Sequence, residues 1–268
     1  MICRVLQGGK MTLYESMVMR RSVRKFRKEK VSEQILEGLV SFYNEMEPLF
    51  PGIRTSIEVI EEGDKKAKGK IRGVMKLPAP CYLAIYTEDK EKADMNAGYI
   101  MQQLSLYLFG KGVGSCYQGT VRCKGEMPEE GMRFAMLLAF GYPKGELCAK
   151  EGKTKRLPME ELCAYKEQPM TCVQELLEAA RIAPSSMNGQ PWRFVVYENR
   201  IHVFCRKHVA GQKVFGKLNE FDFGVMMANV MVAAEELWVD VDLIRLDNIT
   251  HISLPNNEYV ISILIKEE

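Results

Sequence analysis

The chain has 268 residues, 47% hydrophobic and 27% charged, a balance that suits a globular protein and excludes collagen, coiled coil and wholesale disorder. Lys and Arg number 37 against 35 Asp and Glu. The resulting charge of +2 is too small for a general affinity for nucleic acid or membranes, so any basic function must be local. The length alone suggests about two domains.

Eight cysteines contain no C-x-x-C pair, and three histidines add no zinc-type ligand spacing. They read as free thiols in a reducing cytoplasm, which predicts a cytoplasmic protein without a metal site. Residues 1–10 lack the apolar run of a signal peptide. They are expected to be an extension ahead of a true start at Met11, because Gln7–Lys10 can be encoded as a ribosome-binding sequence. Apolar stretches such as Val225–Ala228 and Val230–Ala234 fall well short of the roughly 18 residues of a membrane span.

In chain order, the first notable segment is Arg20–Lys30, RRSVRKFRKEK, with seven bases against one acid. Guanidinium groups bind phosphate bidentately and Ser22 adds a hydroxyl, but a solvated helix end or a nucleic-acid patch would look the same. Ile35–Glu37 marks an amphipathic helix, and Ile57–Ile60 a strand. Glu61–Lys76, EEGDKKAKGKIRGVMK, reads as an exposed loop. Asp94–Phe109 is helical in period and apolar almost all round, the mark of a buried helix. Lys111–Thr120, KGVGSCYQGT, follows with glycines that allow close backbone approach to a flat ligand, yet it has neither P-loop nor G-x-G-x-x-G spacing. Phe134–Leu138 reads as a strand. Beyond it Gly145–Gln168, including the basic run Lys153–Arg156, has no sustained period and reads as a junction.

The second half repeats the order. Leu176–Glu178 matches Ile35–Glu37 at an offset of 141, Phe194–Tyr197 matches Ile57–Ile60 at 137, and Gly224 in the apolar helix Glu220–Leu237 matches Gly98 at 126. Val260–Leu264 matches Phe134–Leu138, again at 126. Helix, strand, buried helix and strand thus recur, which predicts a duplication whose two copies bury their apolar helices together like a fused dimer. Between the second copy's first helix and strand lies Ala183–Trp192, APSSMNGQPW. Pro184 stops the helix, and Ser185, Ser186 and Asn188 can bond either to their own backbone or to a ligand.

RRSVRKF, GVGSCYQG, AFGYP (Ala139–Pro143) and APSSMNGQPW together resemble the FMN-dependent nitroreductase family, over most of residues 12–156 and 172–266. The resemblance implies an α+β fold and, for ordinary members, homodimers whose two FMN sites each draw on both subunits. Here RRSVR stands only in the first copy and APSSMN only in the second, where Phe42–Glu47 and Gln168–Thr171 replace the missing partners. The chain therefore resembles a tandem-repeat, single-chain subfamily: an extension (1–11), a first repeat (12–156) and a second (157–268). It should behave as a monomeric pseudo-dimer with one FMN site. By the same resemblance Arg20, Ser22 and Arg24 hold the phosphate and polar edge of FMN, and Arg21 contacts it largely through its backbone. Backbone groups at Tyr117, Gln118 and Gly119 face the flavin ring, Lys155 and Arg156 close on the phosphate, and Pro184, Ser185, Ser186 and Asn188 approach from the second copy. The implied activity is ping-pong oxidoreduction, with NADH or NADPH as donor and a nitroaromatic, quinone or flavin as acceptor. The small-molecule acceptor is the partner, with no nucleic acid or membrane. No catalytic side chain is required, since the cofactor carries the chemistry, and Cys116 reads as a packing residue. A flavin-binding protein without turnover is the alternative.

Overall fold

The first helix starts where the sequence supplies a cap. In this computed structural model, Thr12 accepts from the Glu15 N–H while the Glu15 carboxylate accepts from the Thr12 N–H, a reciprocal capping box ahead of α1, Leu13–Met19. The structure describes residues 11–63, 69–73, 75–124, 127–149, 155–207, 212–246, 254 and 256–266. The expected extension, apart from Met11, lies outside them, as does the basic residue Lys153. The chain divides into two units, with the boundary between Thr154 and Lys155.

In the first unit α1 is followed by α2 (Glu33–Glu45), β1 (Thr55–Glu61), β2 (Ile71–Arg72), β3 (Cys81–Glu88), α3 (Ala93–Gly110), β4 (Gly114–Tyr117), β5 (Arg122–Cys123) and β6 (Met132–Gly141). The main sheet has the order β1-β3-β6-β4, antiparallel throughout. β3 is buried from Cys81 to Thr87, as its near-continuous apolar sequence requires of a strand covered on both faces. α3 packs against β3, β4 and β6 and against α1 and α2. Its apolar girth matches its burial, since Met95, Ile100, Met101, Leu104, Leu106 and Leu108 are all enclosed.

The second unit runs α4 (Met159–Leu162), β7 (Cys163–Tyr165), α5 (Thr171–Ile182), a 3-10 turn (Ser186–Asn188), β8 (Trp192–Val196), β9 (Arg200–Arg206), α6 (Gln212–Glu236), β10 (Val241–Ile244) and β11 (Asn257–Ile265). Val173, Leu176, Leu177 and Ala180 form the buried stripe of α5, at the spacing of one helix face. The sheet order is β10-β11-β9-β8-β7. Read from β8, this is β8-β9-β11-β10, the same path and antiparallel sense as β1-β3-β6-β4. The ladders also share an irregularity. One extra residue, Ala135 in β6 and Val260 in β11, bulges out of the strand that ends each unit.

Two readings of the sequence need correction. The segment 61–76 is not wholly an exposed loop, because Ile71 and Arg72 pair with Cys123 and Arg122, and Ile71 packs on the core. The junction 145–168 is not irregular throughout either, since β7 adds a strand parallel to β8. Both elements are two or three residues long, too short for periodicity to reveal. Among the described residues, no helix is long and apolar enough to cross a membrane.

Arg133 on β6 anchors the start of α3. It donates to both oxygens of the buried Asp94 carboxylate at 2.8 and 2.9 Å and to exposed Asp89 at 2.8 Å. The fork geometry and the position of Asp94 in the first helical turn both favour this pair. Asp94→Ala is expected to cost roughly 2–4 kcal/mol, because it leaves a largely buried guanidinium short of its partner. Asp89→Ala should cost well under about 1 kcal/mol. Chemical denaturation of the two variants checks the contrast.

Candidate functional site

The basic segment leaves α1 at Arg20 and then runs extended, because each side of it finds a backbone partner. On one side the Val23 N–H donates to the Ser115 carbonyl on β4 at 2.9 Å. On the other, the Arg27 N–H donates to the Tyr142 carbonyl at 2.8 Å, the Lys144 N–H to Lys25 at 3.0 Å and the Ala149 N–H to Met19 at 2.8 Å. The segment thus lies beside the outer edge of β4 and against the chain that leaves β6. Val23 and Phe26, the apolar residues between the charges, turn into the core.

Gly114 makes this docking possible. A Cβ there would run into the Val23 side chain, a branched group with little room to yield. The glycine therefore serves contact between two stretches of protein, not the approach of a flat ligand that its loop-like sequence suggests. The hydroxyl of Ser115 meets that of Ser105 on α3 at 2.8 Å, so the same strand is tied to the buried helix.

This docking brings Arg20, Ser22 and Arg24 together around β4. Both guanidinium groups act electrostatically on the Cys116 thiol, and the Ser22 hydroxyl bonds to it. Burial raises the Cys116 thiol above its ordinary value despite those three neighbours, so at neutral pH it stays a thiol. Burial also lowers the pKa of Arg20, against the opposing pull of Tyr117 and Cys116. Among the described residues, no carboxylate lies within ion-pairing distance of Arg20 or Arg24. Arg21 turns outward, 4.0 Å from Glu146.

At the end of β4 the Tyr117 hydroxyl donates to Gln102 on α3 at 2.9 Å. Gln118 is buried and its side chain is committed: Oε1 accepts from the Leu77 N–H at 3.0 Å, and Nε2 donates to the Tyr117 carbonyl at 3.0 Å. Its backbone N–H donates to Leu137 on β6 at 2.8 Å, so this N–H does not face a ligand as the sequence suggested. Ladder alternation instead turns the Tyr117 N–H away from β6. Gly119 lies in the turn closed by the Val121 N–H on the Gln118 carbonyl.

In the second unit, the loop after α5 gathers the other expected residues. Arg156 donates to the Asn188 side-chain oxygen at 2.5 Å and to the Ile182 carbonyl at 3.0 Å. The Asn188 amide donates to the Lys155 carbonyl at 2.8 Å. Gln190 accepts from the Leu157 N–H at 2.8 Å, and its own N–H donates to the Ser185 hydroxyl at 2.9 Å. Lys155, Arg156 and Asn188 are thereby bonded together, and Gln190, whose amide donates to the Asn188 carbonyl at 3.3 Å, joins Ser185 to them. Met187, Asn188 and Gln190 have φ of 52°, 57° and 44°, a left-handed backbone that costs each non-glycine residue on the order of 1 kcal/mol.

The group that holds this strained loop is Asp222 on α6, which sequence reasoning passed over. It is buried, and its carboxylate accepts from the Ser186 N–H at 2.8 Å and the Ser186 hydroxyl at 3.2 Å. At the repeat offset of 126, Asp222 corresponds to Asn96 of α3. Asn96 is equally buried and holds the matching loop of the first unit, accepting from the Phe50 N–H at 2.9 Å and donating to the Ile53 carbonyl at 3.3 Å. Both signals were present in the sequence as polar residues two positions before the paired glycines Gly98 and Gly224.

Two α+β units of one topology, one presenting an Arg/Ser cluster at an edge strand and the other a strained Ser/Asn loop, define a protein of nitroreductase fold. The chain belongs to the nitroreductase family, since the family model described as "Putative TM nitroreductase" matches residues 12–234, through both units. The crystal structure of a "putative nitroreductase" from Thermotoga maritima is similar over 96% of this chain and 95% of that one, at a TM-score of 0.63 and 16% identity. A nitroreductase family protein from Clostridium difficile is matched over its whole length by 59% of this chain, at a TM-score of 0.46 and 17% identity. An FMN-dependent nitroreductase from Clostridium difficile R20291 is matched over 98% of its length by 54% of this chain, at a TM-score of 0.41 and 19% identity. Among curated proteins, none matches.

Burial pushes the Asp222 carboxyl up to about 7, against the lowering effect of its two Ser186 bonds. Unfolded, the group loses its proton near 3.8; folded, near 7. Between these values the folded chain keeps a proton that the unfolded chain has released, so the contribution of Asp222 to stability falls as pH rises through that window. An asparagine in its place would stay neutral, as Asn96 does. Asp222→Asn is therefore expected to gain stability relative to the parent between pH 4 and pH 7, by up to about 4 kcal/mol. Thermal unfolding of both across that range checks it; a constant difference would contradict the assignment.

Proposed function

We propose that the chain is an FMN-dependent NAD(P)H oxidoreductase with one flavin site per chain. The observation that carries this reading is Arg20: a cation desolvated enough to lower its pKa, with no carboxylate partner among the described residues, beside Ser22 and Arg24. Arg20 is half-buried, so withdrawing its charge from water without a counter-charge is costly, and an anion at that place would relieve it. The FMN phosphate is such an anion, and the donor set of two guanidinium groups and a hydroxyl fits it.

When bound, FMN supplies hydride and electron transfer between a nicotinamide nucleotide and an electron-poor acceptor such as a nitroaromatic, quinone or free flavin. Arg20, Ser22 and Arg24 would hold the phosphate and the polar edge of the ring, with Arg21 contributing backbone. Their positive charge favours the negative charge that reduction adds, at no reorganisation cost. Pro184, Ser185, Ser186 and Asn188 would supply the approach from the second unit, kept in shape by Arg156 and Asp222. No side chain is assigned as acid, base or nucleophile. Cys116 remains a protonated packing residue near the site. The chain would be monomeric in solution and work in the cytoplasm.

The purified protein is expected to be yellow, with close to one FMN per chain. NADH or NADPH should bleach it without oxygen, and a nitroaromatic should restore the colour. Retention of colour with no bleaching by either donor would instead identify a flavin-binding protein without turnover. Arg20→Ala should weaken FMN binding by roughly tenfold or more, the value of one charge-assisted contact; unchanged retention on dialysis would refute the assignment.

A further inference from the structure

The proposed flavin site uses the first half of the basic segment. The second half lines a cavity of about 720 Å³ that lies wholly within the first unit. Arg24, Lys25, Lys28 and Lys144 border it, and among the described residues none of the four is paired with a carboxylate. Two further lysines on its wall are neutralised, Lys30 by Glu61 at 3.8 Å and Lys76 by Glu62 at 3.1 Å. Lys76 is also fixed over the ring of buried Tyr82, 4.7 Å from its centre. Tyr82 is itself pinned, donating to the Leu77 carbonyl at 2.7 Å and accepting from the Ala79 N–H at 3.1 Å. Pro78, Ala79 and Pro80 contribute apolar lining.

All four side chains are exposed, so water screens their mutual repulsion, but their fields add over one concave surface. In a chain whose total charge is only +2, such a concentration is not a by-product of composition. The volume is within the range of small-molecule sites and far exceeds a lone phosphate. We propose that this cavity is a second ligand site, which takes an organic diphosphate or triphosphate: Lys25, Lys28 and Lys144 receive the phosphates, and the body of the ligand rests on the prolines. Its lining includes Phe26 but neither Ser22 nor Cys116. Arg24 is reached from both places and is left unaltered in the test.

The test is isothermal calorimetry of the purified full chain with pyrophosphate, ADP and NADPH, at low and high salt. Both pyrophosphate and ADP should bind, ADP several-fold more tightly, and added salt should weaken both. The double substitution Lys28→Gln/Lys144→Gln should weaken ADP about tenfold or more while flavin content stays unchanged. Glu62→Gln, which removes a negative charge from the wall, should tighten ADP, an effect that misfolding cannot imitate. Competition of ADP with NADPH in flavin reduction would assign the site to the electron donor; ADP binding without competition would assign it to a separate effector. The proposal is overturned by absence of binding at millimolar ADP, by unchanged affinity in the double variant, or by loss of flavin on that change. The calorimetric signal needs no flavin, so it stands or falls apart from the proposed oxidoreductase.

Discussion

Everything in each unit is arranged around a helix that has almost no polar face. α3 and α6 are buried along most of their described length, and a helix of that kind has no stable position until strands and other helices enclose it. The few polar residues inside such helices are consequently under strong constraint, since each must find its partners among backbone groups that reach the core. Asn96 and Asp222 meet this demand in the same manner, by bonding to the loop that follows the unit's first long helix. The requirement of the core thus becomes control of a surface loop. In the second unit that loop is the one with the left-handed backbone at Met187, Asn188 and Gln190.

The same logic sets the basic segment. Seven bases in eleven residues would ordinarily stay in water. Val23 and Phe26 prevent this by burying themselves, and the backbone between them is satisfied by Ser115 on one side and by the strand exit at Tyr142 on the other. The two ends of the segment are held by different partners, Cys148 and Ser115 at Arg20–Val23 and Tyr142 and Pro143 at Phe26–Arg27. One short stretch can therefore present Arg20 and Ser22 to the edge of β4 while Lys25 and Lys28 line a cavity. Pinning by apolar residues lets neighbouring charges serve different places.

Much of the architecture is legible in the chain's own pattern. Periodicity locates the enclosed helices and the amphipathic α5, and the matched order of elements anticipates two units with one strand path. The short strands escape, because β2, β5 and β7 are defined only by the strand each one pairs with. Gly114 is misjudged for a related reason. A glycine's lack of a side chain reads alike in a turn and under a neighbouring valine, and only the distance to Val23 separates them. For the site, family motifs select the residues, but Gln118 shows the limit of that transfer, since its N–H belongs to the β6 ladder.

By itself the sequence determined which segments must be buried, where helices stop, which residues carry charge, and the family whose motifs the chain repeats. Those properties are local or periodic, and adjacent residues suffice to express them. The tertiary structure alone decided how those charges are used. Arg20 became a desolvated cation, Arg156 a brace for Asn188, Asp222 a carboxyl near neutral pKa and Lys144 the wall of a cavity. Desolvation and pairing depend on atoms brought together from distant parts of the chain, and for these groups the distances in sequence run from about 30 to more than 100 residues.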